Sequence, residues 1–203
     1  MLGIYNYTVI LTYIGMLTGF AGILHAMNGD IHGALVCLMV AGVCDMFDGA
    51  IASTMKRTNQ EKRFGVQIDS LSDLVCFGVL PAVTVRAALG QSRMTLFAAG
   101  AYLLCALIRL AWFNVDEEER QEHESGSRRV YYGLPVTTAA LILPVLIELG
   151  GRNGVALAPL ALLVMATAFL TPFKLRKPQF PGKAVMLLAG AAEFALLVTR
   201  SVV

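Results

Sequence analysis

Asp45-Met46-Phe47-Asp48-Gly49-Ala50-Ile51-Ala52, followed by Gly65-Val66-Gln67-Ile68-Asp69-Ser70-Leu71-Ser72-Asp73, decides how this chain is read. Both stretches lie within runs apolar enough to cross a bilayer, yet together they carry four carboxylates. An acid at membrane depth costs about 2.5–3.5 kcal/mol on insertion scales, so four of them call for a neutralising partner. At about 100° per residue, Asp45, Asp48, Gly49 and Ala52 share one face of a helix, and Gly65, Asp69 and Asp73 recur every four residues on one face of the next. The connection between the two runs is short. The helices are therefore expected to be antiparallel neighbours whose acids converge.

The surrounding composition fits that setting. Of 203 residues, 57% are hydrophobic and 15% charged, where a soluble domain carries about 25% charged residues. Mean hydropathy is +0.67. A span needs about 20 mostly apolar residues, and runs meeting this lie at 7–27, 32–55, 64–89, 93–115, 132–150, 154–172 and 183–201, the last carrying Glu193. The expected fold is all-α: a polytopic transmembrane helix bundle of six to seven spans, in a single integral-membrane domain covering 1–203. The charged stretch from Asp116 to Val130 reads as a solvated loop. The first Lys or Arg is Lys56, so no basic region precedes the first run, which is read as a retained helix. Cys37, Cys44, Cys76 and Cys105 have no metal-like spacing and read as small buried hydrophobes.

Charge asymmetry sets the expected orientation. One set of alternating connections holds 11 cations, including Lys56, Arg57, Lys62, Arg63, Arg128, Arg129, Lys174 and Lys177, and the other holds 4, Arg86, Arg93, Arg152 and Arg200. The positive-inside rule then puts the N-terminus and the acid-bearing ends in the cytoplasm. A net charge of +2 gives no reason to expect nucleic acid as a partner.

Converging carboxylates without an adjacent Cys or His suit a hard cation, Mg²⁺ or Mn²⁺, rather than zinc. Mg²⁺ prefers sites that it shares with substrate phosphates, and Gly49 and Ala52 leave room for a ligand to approach the helix. The alternatives are acids paired with buried Arg, or acids lining an ion path as in a membrane cation transporter. No internal repeat of the transporter kind is visible.

These residues resemble the signature of the CDP-alcohol phosphotransferases, D-x2-D-G-x2-A-R followed, after eight or nine residues, by G-x3-D-x3-D. Asp45, Asp48, Gly49, Ala52, Gly65, Asp69 and Asp73 match it. Ser53 stands where the signature has Arg, and the spacer, 54–64, is 11 residues long. Lys56, Arg57, Lys62 or Arg63 could supply the missing charge. The continuation through Phe77-Gly78-Val79-Leu80-Pro81-Ala82, Ile108-Arg109-Leu110-Ala111-Trp112-Phe113-Asn114 and Tyr132-Gly133-Leu134-Pro135 resembles the phosphatidylserine synthase branch, with Trp112 in place of a second Arg.

The resemblance implies transfer of the phosphatidyl group of CDP-diacylglycerol to L-serine with release of CMP, in a homodimer embedded among membrane lipids of a prokaryotic cytoplasmic membrane. It implies a two-metal site of Mg²⁺ or Mn²⁺ held by Asp45, Asp48, Asp69 and Asp73, with Asp73 as the catalytic base for in-line displacement. Gly49, Ala52, Ser53 and Gly65 would line the CDP-lipid pocket. Arg109 reads either as a snorkelling side chain or as a clamp for the acceptor or a phosphate. A sister enzyme using glycerol 3-phosphate or an inositol phosphate is the alternative within the family. Such acceptors would call for a basic cluster, and Arg109 is the clear cation within a run.

Overall fold

The computed structural model describes residues 3–90, 92–123, 130–176 and 182–200. Gln91, Arg128, Arg129 and Lys177 lie outside these described residues. The chain forms helices α1 (Ile10–Met27), α2 (Ile31–Ala52), α3 (Asn59–Asp73), α4 (Leu80–Leu89), α5 (Arg93–His123), α6 (Ala139–Pro144), α7 (Gly150–Leu170) and α8 (Gly182–Arg200). Two wider π-turns, Leu74–Val79 and Val145–Leu149, join α3 to α4 and α6 to α7. A three-residue ribbon pairs β1 (Val130–Tyr132) antiparallel to β2 (Lys174–Arg176), with Tyr132 opposite Lys174. The fold is otherwise helical, as expected.

Five stretches are long and apolar enough to cross a membrane: Tyr7–Met27, Ile31–Ala52, Asn59–Leu89, Arg93–Arg120 and Val136–Leu170. Among the described residues five stretches meet these criteria, so length and composition do not confirm the expected six to seven spans. The runs 132–150 and 154–172 fall largely in the last of these stretches, and α8 is outside the set. Val136–Leu170 is not straight, however. Gly151 has φ 52° and ψ −136°, a conformation open to glycine because it has no Cβ. Gly154 lies directly against the Leu146 carbonyl. Beyond the two ends, Leu134 N–H donates to Ala168 O at 3.1 Å and Gly133 N–H to Phe173 O at 2.9 Å. The segment therefore folds back on itself at Gly151.

A second correction concerns the charged segment Asp116–Arg120, which is helical. α5 continues to His123, because loss of hydropathy marks the exit from an apolar layer and not the end of a helix. Glu and Arg are good helix formers, and the Arg120 guanidinium pairs with Glu117 one turn back at 2.5 Å.

Close packing of α1 positions everything else. Thr8, Thr12, Gly15, Gly19, Gly22 and Ala26 form one buried stripe. A Cβ on Gly15 would stand 3.2 Å from Cys44 Cβ, one on Gly19 2.5 Å from Cys76 Sγ, and one on Gly22 2.8 Å from Cys37 Cβ. Small residues allow such backbone approach between membrane helices. Three of the cysteines are thus spacers against α1. The α3–α4 π-turn has an equally local cause. Pro81 has no N–H to offer the carbonyl of Phe77 four residues earlier, and the buried Tyr102 hydroxyl of α5 donates to that carbonyl at 2.6 Å. The core that results is one apolar cluster reaching from Ala26 to Leu197, with Leu38, Phe77, Tyr102 and Phe169 among its buried members.

Candidate active site

Helix starts and stops fix where the acids sit. Asp30 caps α2 by accepting the Gly33 N–H at 2.8 Å, and that bond, together with His25 at 2.7 Å, holds its carboxyl below the usual carboxylate range. At the other end, α2 stops at Ala52. Thr58 then opens α3 through a capping box in which Thr58 N–H donates to Glu61 at 2.8 Å and Glu61 N–H to the Thr58 hydroxyl at 3.2 Å. Asn6 Nδ2 donates to the same Glu61 at 3.1 Å. The α2–α3 turn is thereby tied to the chain ahead of α1.

Asp45, Asp48 and Asp69 each offer a carboxylate oxygen, and these three oxygens lie within 4.8 Å of one another. Carboxylates held this close call for a proton or a cation among them. Asp73 lines the same narrow cavity, with Thr12, Gly15, Cys44 and Ser72, but is not one of the tight three. α1 packs against both α2 and α3, and α2 packs also on the π-turn and α4.

Residues outside the sequence motif complete the site. Thr12 of α1 donates to Asp48 Oδ2 at 3.5 Å, and Ser72 donates to the Thr12 carbonyl at 3.4 Å. Ser70 donates to Asn114 Oδ1 at 2.6 Å, and Asn114 Nδ2 to Gln67 Oε1 at 3.2 Å. Asp69 is thus carried on a turn of α3 that is fastened to α5 on both sides. The sequence reading assigned no role to Thr12, although it shares a helical face with Gly15, Gly19 and Gly22, nor to Asn114, although it ends the stretch Ile108–Asn114 that carries part of the resemblance.

The expected ligand-facing glycines differ in surroundings. A Cβ on Gly49 would meet nothing within 4 Å, whereas one on Gly65 would stand 3.2 Å from Arg57 Nη1. Ala52 ends α2, and the Ser53 hydroxyl turns back to donate to Ala50 O at 2.6 Å. Arg109 is buried, its guanidinium 5.5 Å from the Trp112 ring centre and 5.8 Å from that of Phe113. Trp112 in turn meets Tyr132 edge-on at 6.2 Å.

Two cysteines also line the cavity, contrary to the expectation that none lies near the acids. Their sulfurs serve packing: Cys76 Sγ donates to the Gly15 carbonyl at 3.4 Å, and Cys44 abuts Gly15. The clustered donors are all carboxylate oxygens, which fits a hard divalent ion.

A family model, CDP-alcohol phosphatidyltransferase, matches residues 5–173. An archaetidylserine synthase of Methanothermobacter thermautotrophicus is 30% identical over 135 residues, covering 66% of this chain and 54% of that protein. A CDP-diacylglycerol–serine O-phosphatidyltransferase of Saccharomyces cerevisiae is 34% identical over 143 residues, covering 64% of this chain and 51% of its own. The chain thus spans about half the length of these two relatives. A protein of the latter name from Methanocaldococcus jannaschii is 27% identical over 206 residues, with 97% of this chain and 92% of that one aligned.

Proposed function

This chain belongs to the CDP-alcohol phosphatidyltransferase family, and from that premise we propose that it transfers the phosphatidyl group of CDP-diacylglycerol to the hydroxyl of L-serine, giving phosphatidylserine and CMP. Five apolar helices and the family make it an integral membrane protein. The observation that carries the reading is the set of three carboxylates within 4.8 Å, beside a fourth, on helix faces left open by glycine. Serine is common to the names of the relatives, while the lipid differs between archaetidylserine and CDP-diacylglycerol. Acceptor choice is therefore the better supported part, and the tails the freer one.

Asp45, Asp48 and Asp69 would hold a divalent ion, Mg²⁺ or Mn²⁺, with Asp73 contributing to a second. Such ions neutralise a diphosphate and its leaving group. The chain's own residues do the rest. Gly49, Ala52, Ser53 and Gly65 form the surface on which the cytidine diphosphate lies. Asp73, in the cavity yet outside the tight three, takes the serine hydroxyl proton as that oxygen attacks the β-phosphorus and CMP departs. Arg109, fixed on its aromatic neighbours, holds the carboxylate of the acceptor or a phosphate. The whole chain acts as one membrane domain, a homodimer with its site facing the cytoplasm of a prokaryotic cell.

Purified protein incubated with CDP-diacylglycerol and a panel of alcohols tests this directly. CMP release and a new phospholipid are expected with L-serine. Absence of CMP with every alcohol would refute the transferase reading and favour an ion path through the acids.

A further inference from the structure

Arg57 occupies a place that the signature does not assign. Its guanidinium overhangs Gly65, with Nη1 3.2 Å from where a Cβ would be. Gly65 is one helical turn, about 6 Å along the axis, before Asp69. Arg57 is only half-buried, and among the described residues it forms no ion pair within 4 Å; the carboxylate in its electrostatic reach is Glu61, whose oxygens accept from Thr58 and Asn6. The turn that carries it is nevertheless built. Thr54 donates to Ile51 O at 2.7 Å and shares a hydrogen bond with the Tyr7 hydroxyl at 3.1 Å, and the Thr58–Glu61 capping box closes the far side. Position 53 offers no charge, since Ser53 is neutral and its hydroxyl is spent on its own helix.

A cation thus hangs over bare backbone, one turn from a carboxylate cluster. The ligand that fits both is an anion reaching from an ion at Asp69 to a guanidinium above Gly65. We propose that Arg57 is the diphosphate clamp of this enzyme, moved four residues along the chain from position 53 and brought back over Gly65 by the turn between the Ser53 and Thr58 caps. Its planar fork takes two phosphate oxygens at once, which a lysine does not. This rests on the transferase reading for the identity of the substrate, but the clamp itself recognises any nucleoside diphosphate.

The test uses CDP with Mn²⁺ as a soluble probe of binding, alongside CMP release from CDP-diacylglycerol and serine. Arg57→Ala is expected to weaken CDP binding and raise KM for CDP-diacylglycerol by about tenfold to a hundredfold, the scale of a lost charge-assisted hydrogen bond. KM for serine should stay within about twofold. Arg57→Lys should fall between Arg57→Ala and the parent, and Ser53→Arg added to Arg57→Ala should recover most of the lost affinity. Where Arg57→Ala fails to fold, Arg57→Gln carries the same test. A folded Arg57→Ala or Arg57→Gln protein with unchanged CDP affinity overturns the clamp. So does an equal rise in both KM values, or a loss that Ser53→Arg does not reduce. A parent protein that binds CDP through Arg57 but releases no CMP with any alcohol would refute the transferase reading and leave the clamp standing.

Discussion

Asp48→Asn should stabilise the metal-free protein while destroying its response to metal. Asp48 contributes one of three carboxylate oxygens within 4.8 Å of one another, the others being those of Asp45 and Asp69. At that distance, two unit charges repel by about 3.5 kcal/mol at an effective dielectric of about 20. Closer approach than 4.8 Å would raise this bare repulsion, and a proton on one of the acids would relieve part of it in the parent. The amide keeps the size of the carboxyl and can donate to Asp69, so the realised gain should be about 1–2 kcal/mol, the usual scale when functional strain is removed. For a chain of this size that is a rise of about 2–8 °C in melting temperature in EDTA. The parent at a hundred times the metal Kd should gain about 2.7 kcal/mol, and the variant little of it, with CMP release lost. Thermal melts of both proteins in detergent, with EDTA and with Mn²⁺, read the two effects separately. A lower melting temperature in EDTA with an undiminished Mn²⁺ shift would show that Asp48 is a structural hydrogen-bond acceptor, and the metal-site reasoning would fail.

Asp73→Asn should lower turnover by about a hundredfold or more, the scale of lost general-base catalysis. It should keep the Mn²⁺ melting shift, because Asp73 is not among the tight three; near-normal turnover with serine would remove Asp73 as the base. In a competition assay L-serine should support CMP release while glycerol 3-phosphate and an inositol phosphate do not; preference for glycerol 3-phosphate would move the protein to a sister branch with the same chemistry. Tyr102→Phe leaves the buried Phe77 carbonyl without its 2.6 Å donor and should cost about 1–3 kcal/mol of stability, measured by melting in detergent. An unchanged melting temperature would mean that the π-turn needs no support from α5.

The helical faces of the acids were legible in the sequence because the helical period is local. Asp45, Asp48, Gly49 and Ala52 share a face whatever packs against them, and so do Gly65, Asp69 and Asp73. The start of α3 at Asn59, ahead of the run 64–89, was not read from the sequence, although its capping box uses only the local pair Thr58 and Glu61. Hydropathy located the apolar runs, including the break between 132–150 and 154–172 at which the chain reverses at Gly151, but not the continuation of α5 through Asp116–Arg120, which depends on helix propensity in water.

Everything that needed two remote helix faces to meet was left to the tertiary structure. Asp69 joins the tight cluster and Asp73 does not, although both sit on the same face of the same helix. The helices that carry the acids are placed by remote packing: the glycine stripe of α1 presses on Cys44 and Cys76, and Tyr102 of α5 donates to the Phe77 carbonyl in the π-turn. Thr12 beside Asp48, Asn114 beside Ser70, and Arg57 above Gly65 are separated from their partners by 36, 44 and 8 residues respectively. The sequence alone named the chemistry, because residue type and helical phase are written in it. Which carboxylates share an ion, and which cation faces them, follows from close packing between helices, where a shift of about one side chain's width changes the partner.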